Sequence, residues 1–147
     1  MKKYLVTGGA GFIGSHIVNS LLAKGHQVIV YDNFSTGKHE FINDAKSDKS
    51  FELVVGDLLD DRLLEKTLRG CDAVYHMAAN ADIRNGLVSP YRDIEQNTIA
   101  TFNLLEAMRK NNVRRIIFAS SAAALGEPEV FPTPESCAVP VQTSLYG

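Results

Sequence analysis

An α/β fold built on a parallel sheet is what this 147-residue chain predicts, on three observations. Short, continuously apolar segments alternate with longer amphipathic ones. A glycine-rich turn follows the first apolar segment, and the apolar cores are unbroken triplets rather than alternating patterns. Strands covered by helices on both faces read this way, because each of their sides is buried.

Taken in order, Tyr4-Leu5-Val6 is expected to form the first strand, ended by Thr7-Gly8-Gly9. Residues 11–24 predict a helix with Phe12, Ile13, Ile17, Leu21 and Leu22 on its apolar stripe, stopped by Gly25. Residues 28–31 and 51–55 read as the second and third strands, with one weak helical segment near 38–45 between them. Asp60 is placed to cap a helix through Leu68, which Gly70 stops. Ala73-Val74-Tyr75 reads as the fourth strand. Pro90 sits in the first turn of a long helix over residues 90–110, with Ile94, Thr98, Thr101, Leu105 and Met108 on one face. Residues 115–119 supply the fifth strand. Four of the five prolines fall within residues 121–143, an irregular loop. A further helix is expected to start near Ser144, three residues before Gly147, so the chain reads as a Rossmann-type, doubly wound parallel sheet truncated after its fifth strand.

Bulk composition narrows the function classes. The formal net charge is −2, 45% of residues are hydrophobic, and no Lys/Arg run exceeds two residues, which argues against a nucleic-acid binder. No apolar run approaches the ~20 residues of a membrane span, and the glycine turn arrives too early for an export segment, so a cytoplasmic location is expected. Cys71 and Cys137 are far apart and lack CxxC spacing; reduced thiols are the expectation, one disulfide the alternative. The four histidines show no ligand spacing, so no metal site is expected.

The chemistry begins at Thr7-Gly8-Gly9-Ala10-Gly11-Phe12-Ile13-Gly14. Gly9, Gly11 and Gly14 form a GxGxxG pattern directly after a strand and at the opening of a helix. Missing Cβ atoms allow a tight turn and let backbone amides approach a pyrophosphate, which the helix N-terminus then holds. Gly14 would let that helix pack closely on the sheet. Asp32 ends the second strand 18 residues after Gly14, where an acceptor for the adenosine ribose hydroxyls belongs. Its charge would repel a 2′-phosphate, so NAD is favoured over NADP. Asn33, Ser35, Thr36 and Gly37 follow in the same loop and are candidate cofactor contacts. Asp57, with Leu58 beside it, follows the third strand; its carboxylate could accept from the adenine amino group or cap the next helix. His76 reads as a hydrogen-bonded structural histidine, and Met77, Ala78 and Ala79 either leave room for the cofactor or simply pack tightly.

Those segments resemble the extended short-chain dehydrogenase/reductases that act on nucleotide sugars, the NAD-dependent epimerase/dehydratase group. Residues 7–16, Tyr31-Asp32-Asn33, Gly56-Asp57-Leu58, His76-Met77-Ala78-Ala79 and Asn97 match the family's markers in order. The resemblance implies NAD as cofactor, an inward-facing Asn97 (an exposed helix residue being the alternative), and about half of a typical member, whose sugar-binding lobe would follow. It also implies a hydroxyl residue after the fifth strand, matched by Ser121, and a Tyr-x-x-x-Lys pair, whose tyrosine is matched by Tyr146. Tyr146 would take the sugar hydroxyl proton as hydride leaves C4, and Ser121 would hold that hydroxyl. Ala122 and Ala123 cannot supply the acid used by the family's dehydratases and decarboxylases, so an epimerase of UDP-glucose and UDP-galactose fits best. Ala124-Leu125 stand where the family usually carries Val-Tyr. The implied lysine would lie past Gly147, so this polypeptide itself is expected not to turn over a UDP-hexose. A homodimer through the long helix is a further implication. The alternatives are a non-catalytic NAD-binding regulatory module, or a related nucleotide-sugar reductase or dehydratase.

Overall fold

A computed structural model describes residues 1–80, 82–128, 130–138, 141–142 and 146–147. Strand β1 (Lys3–Thr7) leads into helix α1 (Phe12–Ala23) and strand β2 (Gln27–Asp32). Two single 3₁₀ turns, His39–Ile42 and Ala45–Ser47, replace the expected weak helix before β3 (Phe51–Val55). Helix α2 (Asp61–Thr67) and β4 (Ala73–His76) follow, then α3 (Ile83–Val88) and α4 (Pro90–Asp93). From α4 the chain runs through a π-helical segment, Ile94–Ile99, into α5 (Ala100–Lys110), β5 (Ile116–Phe118) and a 3₁₀ turn, Ala122–Leu125.

The sheet is parallel throughout, in the order β3-β2-β1-β4-β5. Strand order therefore reverses between β1 and β4, leaving a crevice at the carboxyl ends of Thr7 and His76 where ligands of such sheets bind. Successive strand residues alternate between two cores. Leu5, Ile29, Tyr31 and Val74 pack with Leu64 of α2 and Ala100, Leu104 and Met108 of α5. Val6, Val28 and Val30 pack with Val18, Leu21 and Leu22 of α1. This double burial is why β1 and β2 read as unbroken apolar runs. Strand β5 departs from that expectation: Ile117 and Phe118 are 45% and 54% exposed, because no described element covers the outer side of this edge strand.

Two apolar stripes also differ from expectation. In α1, Phe12 and Ile13 are exposed, while Gly14, Ser15, Val18, Leu21 and Leu22 face inward. At 100° per residue Phe12 and Ile13 fall on the side of α1 opposite those buried positions, although they share its first turn with Gly14 and Ser15. In the long helix, Ile94, Thr98 and Leu105 are exposed, and the buried positions are Asp93, Ala100, Leu104, Ala107 and Met108. The buried face thus lies one residue ahead of the expected stripe on both sides of the π segment, with Met108 common to the two.

The caps behave as expected. Asp60 Oδ1 accepts the Leu63 amide at 3.0 Å, and Gly70 ends the following turn at φ +74°. Cys71 and Cys137 are both free, and burial pushes the Cys71 thiol up to about 11. Among the described residues no helix is long and apolar enough to cross a membrane. None of their His, Cys, Asp and Glu side chains group to hold a metal ion. Pro140 and the helix expected to start near Ser144 lie outside the described residues.

Candidate functional site

The glycine turn closes over the end of β1. Gly8 sits at φ +66°, its amide donates to the Tyr31 carbonyl at 2.9 Å, and its own carbonyl accepts from the Gly11 amide at 3.0 Å. A Cβ on Gly8 would lie 2.6 Å from the Ala78 nitrogen and 2.8 Å from the Met77 carbonyl carbon. Two backbones meet there with no room for a side chain. Gly14 plays a related part, though not against the sheet strands: its Cβ would strike the Gly8 carbonyl oxygen and lie 2.8 Å from the Gly9 Cα. Its missing side chain lets α1 start against the turn itself. Gly11, the N-cap, makes no side-chain cap, and the first turn of α1 carries no acid, so the first amides of α1 keep no partner from their own helix's side chains.

Asp32 is 8% exposed at the end of β2. Its Oδ2 accepts the Ala10 amide at 2.9 Å and its Oδ1 the Phe34 amide at 2.8 Å. The carboxylate thus ties the glycine turn to the loop after β2. Gly37 lies against it with no space for a side chain, since a Cβ would fall 2.8 Å from Oδ1, and the Lys38 amide donates to the Ala10 carbonyl at 2.9 Å. Asn33 Oδ1 accepts the Ser35 amide, while Asn33 Nδ2 donates to Asp57 Oδ2, both at 2.9 Å. Asp57 Oδ1 accepts the Leu59 amide, so Asp57 braces its own loop and Asp60 alone caps α2. The Tyr31 hydroxyl donates to the Asp57 carbonyl at 2.8 Å, and burial drives the Tyr31 phenol far above its ordinary range.

These residues enclose two adjoining cavities. The first is lined by Gly8, Gly11, Asp32, Asn33, Ser35, Thr36 and Gly37 on one side and by Asp57, Leu58, Met77, Ala78 and Ala79 on the other. The second shares Met77, Ala78 and Ala79 as a common wall and adds Asn97, Thr101, Ser121, Ala124 and Tyr146. Ser121 and Tyr146, 25 residues apart in sequence, line the same cavity. Ser121 Oγ also accepts the Ala123 amide at 3.2 Å. Asn97 is half-buried and clasps Asn80, its Oδ1 accepting the Asn80 amide at 2.8 Å and its Nδ2 donating to the Asn80 carbonyl at 3.2 Å. Of the candidate cofactor residues, Phe12, Ile13 and Gly14 line neither cavity. Phe12 and Ile13 stand 70% and 60% exposed at the start of α1.

Gln96 in the first cavity and Thr101, Phe118, Ala119 and Ser120 in the second were not among the expected site residues, and Tyr31, Gly56 and Ala124, which entered only within family markers, line the cavities too. Tyr31 and Gly56 flank residues that had been singled out, so strand ends were the available signal. Gln96 had none: only the π segment brings Gln96 to one cavity and its neighbour Asn97 to the other.

Residues 4–147 match the NAD dependent epimerase/dehydratase family. Among similar proteins, the UDP-glucose 4-epimerase of Halalkalibacterium halodurans is 43% identical over 145 residues, which are 97% of this chain and 41% of that protein. The structure of UDP-N-acetylglucosamine 4-epimerase from Methanobrevibacter ruminantium M1 in complex with UDP-N-acetylmuramic acid superposes with a TM-score of 0.90 at 38% identity. It is matched over 99% of this chain and 46% of that one. UDP-glucose 4-epimerase from Brucella ovis in complex with NAD gives 0.89 at 34% identity, covering 99% and 43%. The chain therefore spans less than half the length of the relatives it matches. With a parallel sheet, a glycine turn at its switch point and this match along nearly its whole length, the chain belongs to the NAD-dependent epimerase/dehydratase family.

Proposed function

We propose that this chain is the NAD-binding portion, residues 1–147, of a nucleotide-sugar 4-epimerase whose substrates are UDP-glucose and UDP-galactose. The observation that carries this reading is the common wall of Met77, Ala78 and Ala79, shared by the cavity bearing the glycine turn and Asp32 and the cavity bearing Ser121 and Tyr146. A dinucleotide lying along the first cavity would present its far end beside the two hydroxyls. The glycine cradle fits a pyrophosphate, since Gly8 and Gly11 line the first cavity without side chains and the α1 amides have no side-chain cap. Asp32 and Asn33 stand where the adenosine ribose would lie, and Asp57 and Leu58 border the adenine end.

When bound, the nicotinamide supplies the hydride acceptor for sugar C4. Tyr146 takes the proton of the C4 hydroxyl, and Ser121 holds that hydroxyl by a hydrogen bond. The alanines at 122, 123 and 124 offer no acid for dehydration or decarboxylation, which supports epimerisation within the family. A lysine beside Tyr146 would lower the proton affinity of its phenol and favour that transfer. Exposed Ile94, Ile99, Phe102 and Leu105 on the long helix support a homodimer, and the free thiols support a cytoplasmic location.

Calorimetric titration of this polypeptide with NAD⁺ and NADP⁺, beside a coupled epimerase assay on it and on the longer reading frame, tests the reading. The expected result is NAD⁺ binding by both proteins, rejection of NADP⁺, and turnover of UDP-galactose by the longer one. A folded polypeptide that ignores NAD⁺, or a longer protein that leaves UDP-galactose unchanged, refutes it.

A further inference from the structure

Behind the common wall lies a chain of side-chain hydrogen bonds that crosses the switch point. His76, 1% exposed, places Nδ1 2.6 Å from Thr7 Oγ1 on β1 and Nε2 3.1 Å from Thr101 Oγ1 on α5. Thr101 Oγ1 donates to the Asn97 carbonyl at 2.6 Å, and the Ala78 amide donates to Thr7 Oγ1 at 3.4 Å.

Proton counting gives this chain a direction. A carbonyl can only accept, so the single Thr101 hydroxyl proton is spent on Asn97, and toward His76 this oxygen must accept. His76 Nε2 therefore carries the ring proton. A neutral ring then has a bare Nδ1, which accepts the Thr7 hydroxyl proton and leaves the Thr7 oxygen to receive the Ala78 amide. Every member is satisfied once, and no buried side-chain nitrogen or oxygen among the described residues lacks a partner. Burial pushes the imidazole down to about 4, which keeps it neutral at physiological pH.

We propose that His76 is a positioning residue: as the Nε2-protonated neutral tautomer it links Thr7 to Thr101 and so holds Ala78 and the Asn97 turn, the wall and far side of the two cavities, in register. Thr101 back-bonds to residue i−4 within the π-to-α transition, a contact that bends helices and here aims Asn97 at Asn80 and Gln96 at the first cavity. His76 touches no ligand in this scheme. It acts through Ala78 and Asn97, and the scheme's effect on NAD⁺ rests on the cofactor site proposed above.

Two measurements on this chain test it. Long-range ¹H–¹⁵N spectra of the ligand-free protein report the tautomer directly, and calorimetry reports NAD⁺ affinity of the wild type, Thr101→Val and Thr101→Ser. Thr101→Val keeps the shape and deletes the hydroxyl, whereas Thr101→Ser keeps the hydroxyl. The wild type is expected to show an Nε2–H imidazole, and Thr101→Val a mixture of tautomers. Loss of one buried hydrogen bond should weaken NAD⁺ by about tenfold in Thr101→Val, with Thr101→Ser within about twofold of wild type. A proton on Nδ1, or wild-type NAD⁺ affinity in Thr101→Val, would overturn the proposal. An Nε2–H tautomer in a folded wild type that does not bind NAD⁺ would uphold the wiring and sink the cofactor reading alone.

Discussion

Replacing Gly8 by alanine probes the meeting of two backbones on which the groove depends. Two separable costs follow from the geometry. At φ +66° an L residue is strained by about 1–2 kcal/mol. The added methyl would lie 2.6–2.8 Å from Ala78 and Met77 backbone atoms, and this overpacking adds about 1–3 kcal/mol. Together the loss is about 2–5 kcal/mol, a fall in Tm of about 4–20 °C for a chain of this size. Gly25→Ala is the matched control, because Gly25 has φ +72° yet nothing within 4 Å of its Cβ. It should lose only the conformational part, about 1–2 kcal/mol, and keep its NAD⁺ affinity. Thermal melts by circular dichroism give the stabilities, and calorimetry the affinities. The Gly8 variant should also lose at least about tenfold in NAD⁺ binding, since the turn must back away from Ala78. Equal destabilisation by the two substitutions, with NAD⁺ binding intact in both, would refute the reasoning.

Asp32→Asn replaces two acceptor oxygens by one, so the Ala10 or Phe34 amide faces an NH₂ group; a stability loss of about 1–3 kcal/mol in urea titrations, with weakened NAD⁺ binding, is expected. His76 gives the fold an acid limit. Its native imidazole resists protonation down to about 4 while the unfolded chain takes a proton near 6.5, so stability is complete above 6.5 and falls as pH drops through that window. The full fall is about 3 kcal/mol, and His76→Asn should flatten the stability-versus-pH slope between about pH 6.5 and about pH 4 in chemical denaturation. In the longer reading frame, Tyr146→Phe should lower kcat by about 100-fold to 10,000-fold and leave NAD⁺ affinity unchanged, as removal of a proton-transfer group does; equal losses in both would argue against that role.

What the sequence made legible was whatever depends on neighbours in the chain. The glycine turn, the Asp60 cap and the position of Asp32 at the end of β2 follow from local backbone requirements, and all three stand where they were expected. What it hid depends on contacts between distant elements. Phe12 and Ile13 have apolar side chains suited to a core stripe, but which face of α1 turns toward the sheet is a tertiary fact. Ile116-Ile117-Phe118 has the apolar content of a central strand, yet it lies at the sheet edge with Ile117 and Phe118 exposed. Asp57 could serve as cap or ligand by sequence; its actual hydrogen bonds, to Asn33 and Leu59, select among residues 2 to 24 positions away. Gln96 was invisible because its placement rests on a change of helical pitch.

That change of pitch sets what kind of mutation the groove can tolerate. A side-chain replacement within Ile94–Ile99 alters one contact, but deleting a single residue there would let the helix relax to its ordinary winding, rotating Gln96 and Asn97 off their cavities together and re-aiming the outward apolar side chains. Inheritance in this stretch is thus constrained in chain length more tightly than in residue identity, and an alignment gap falling here would signal altered ligand handling even between otherwise similar sequences.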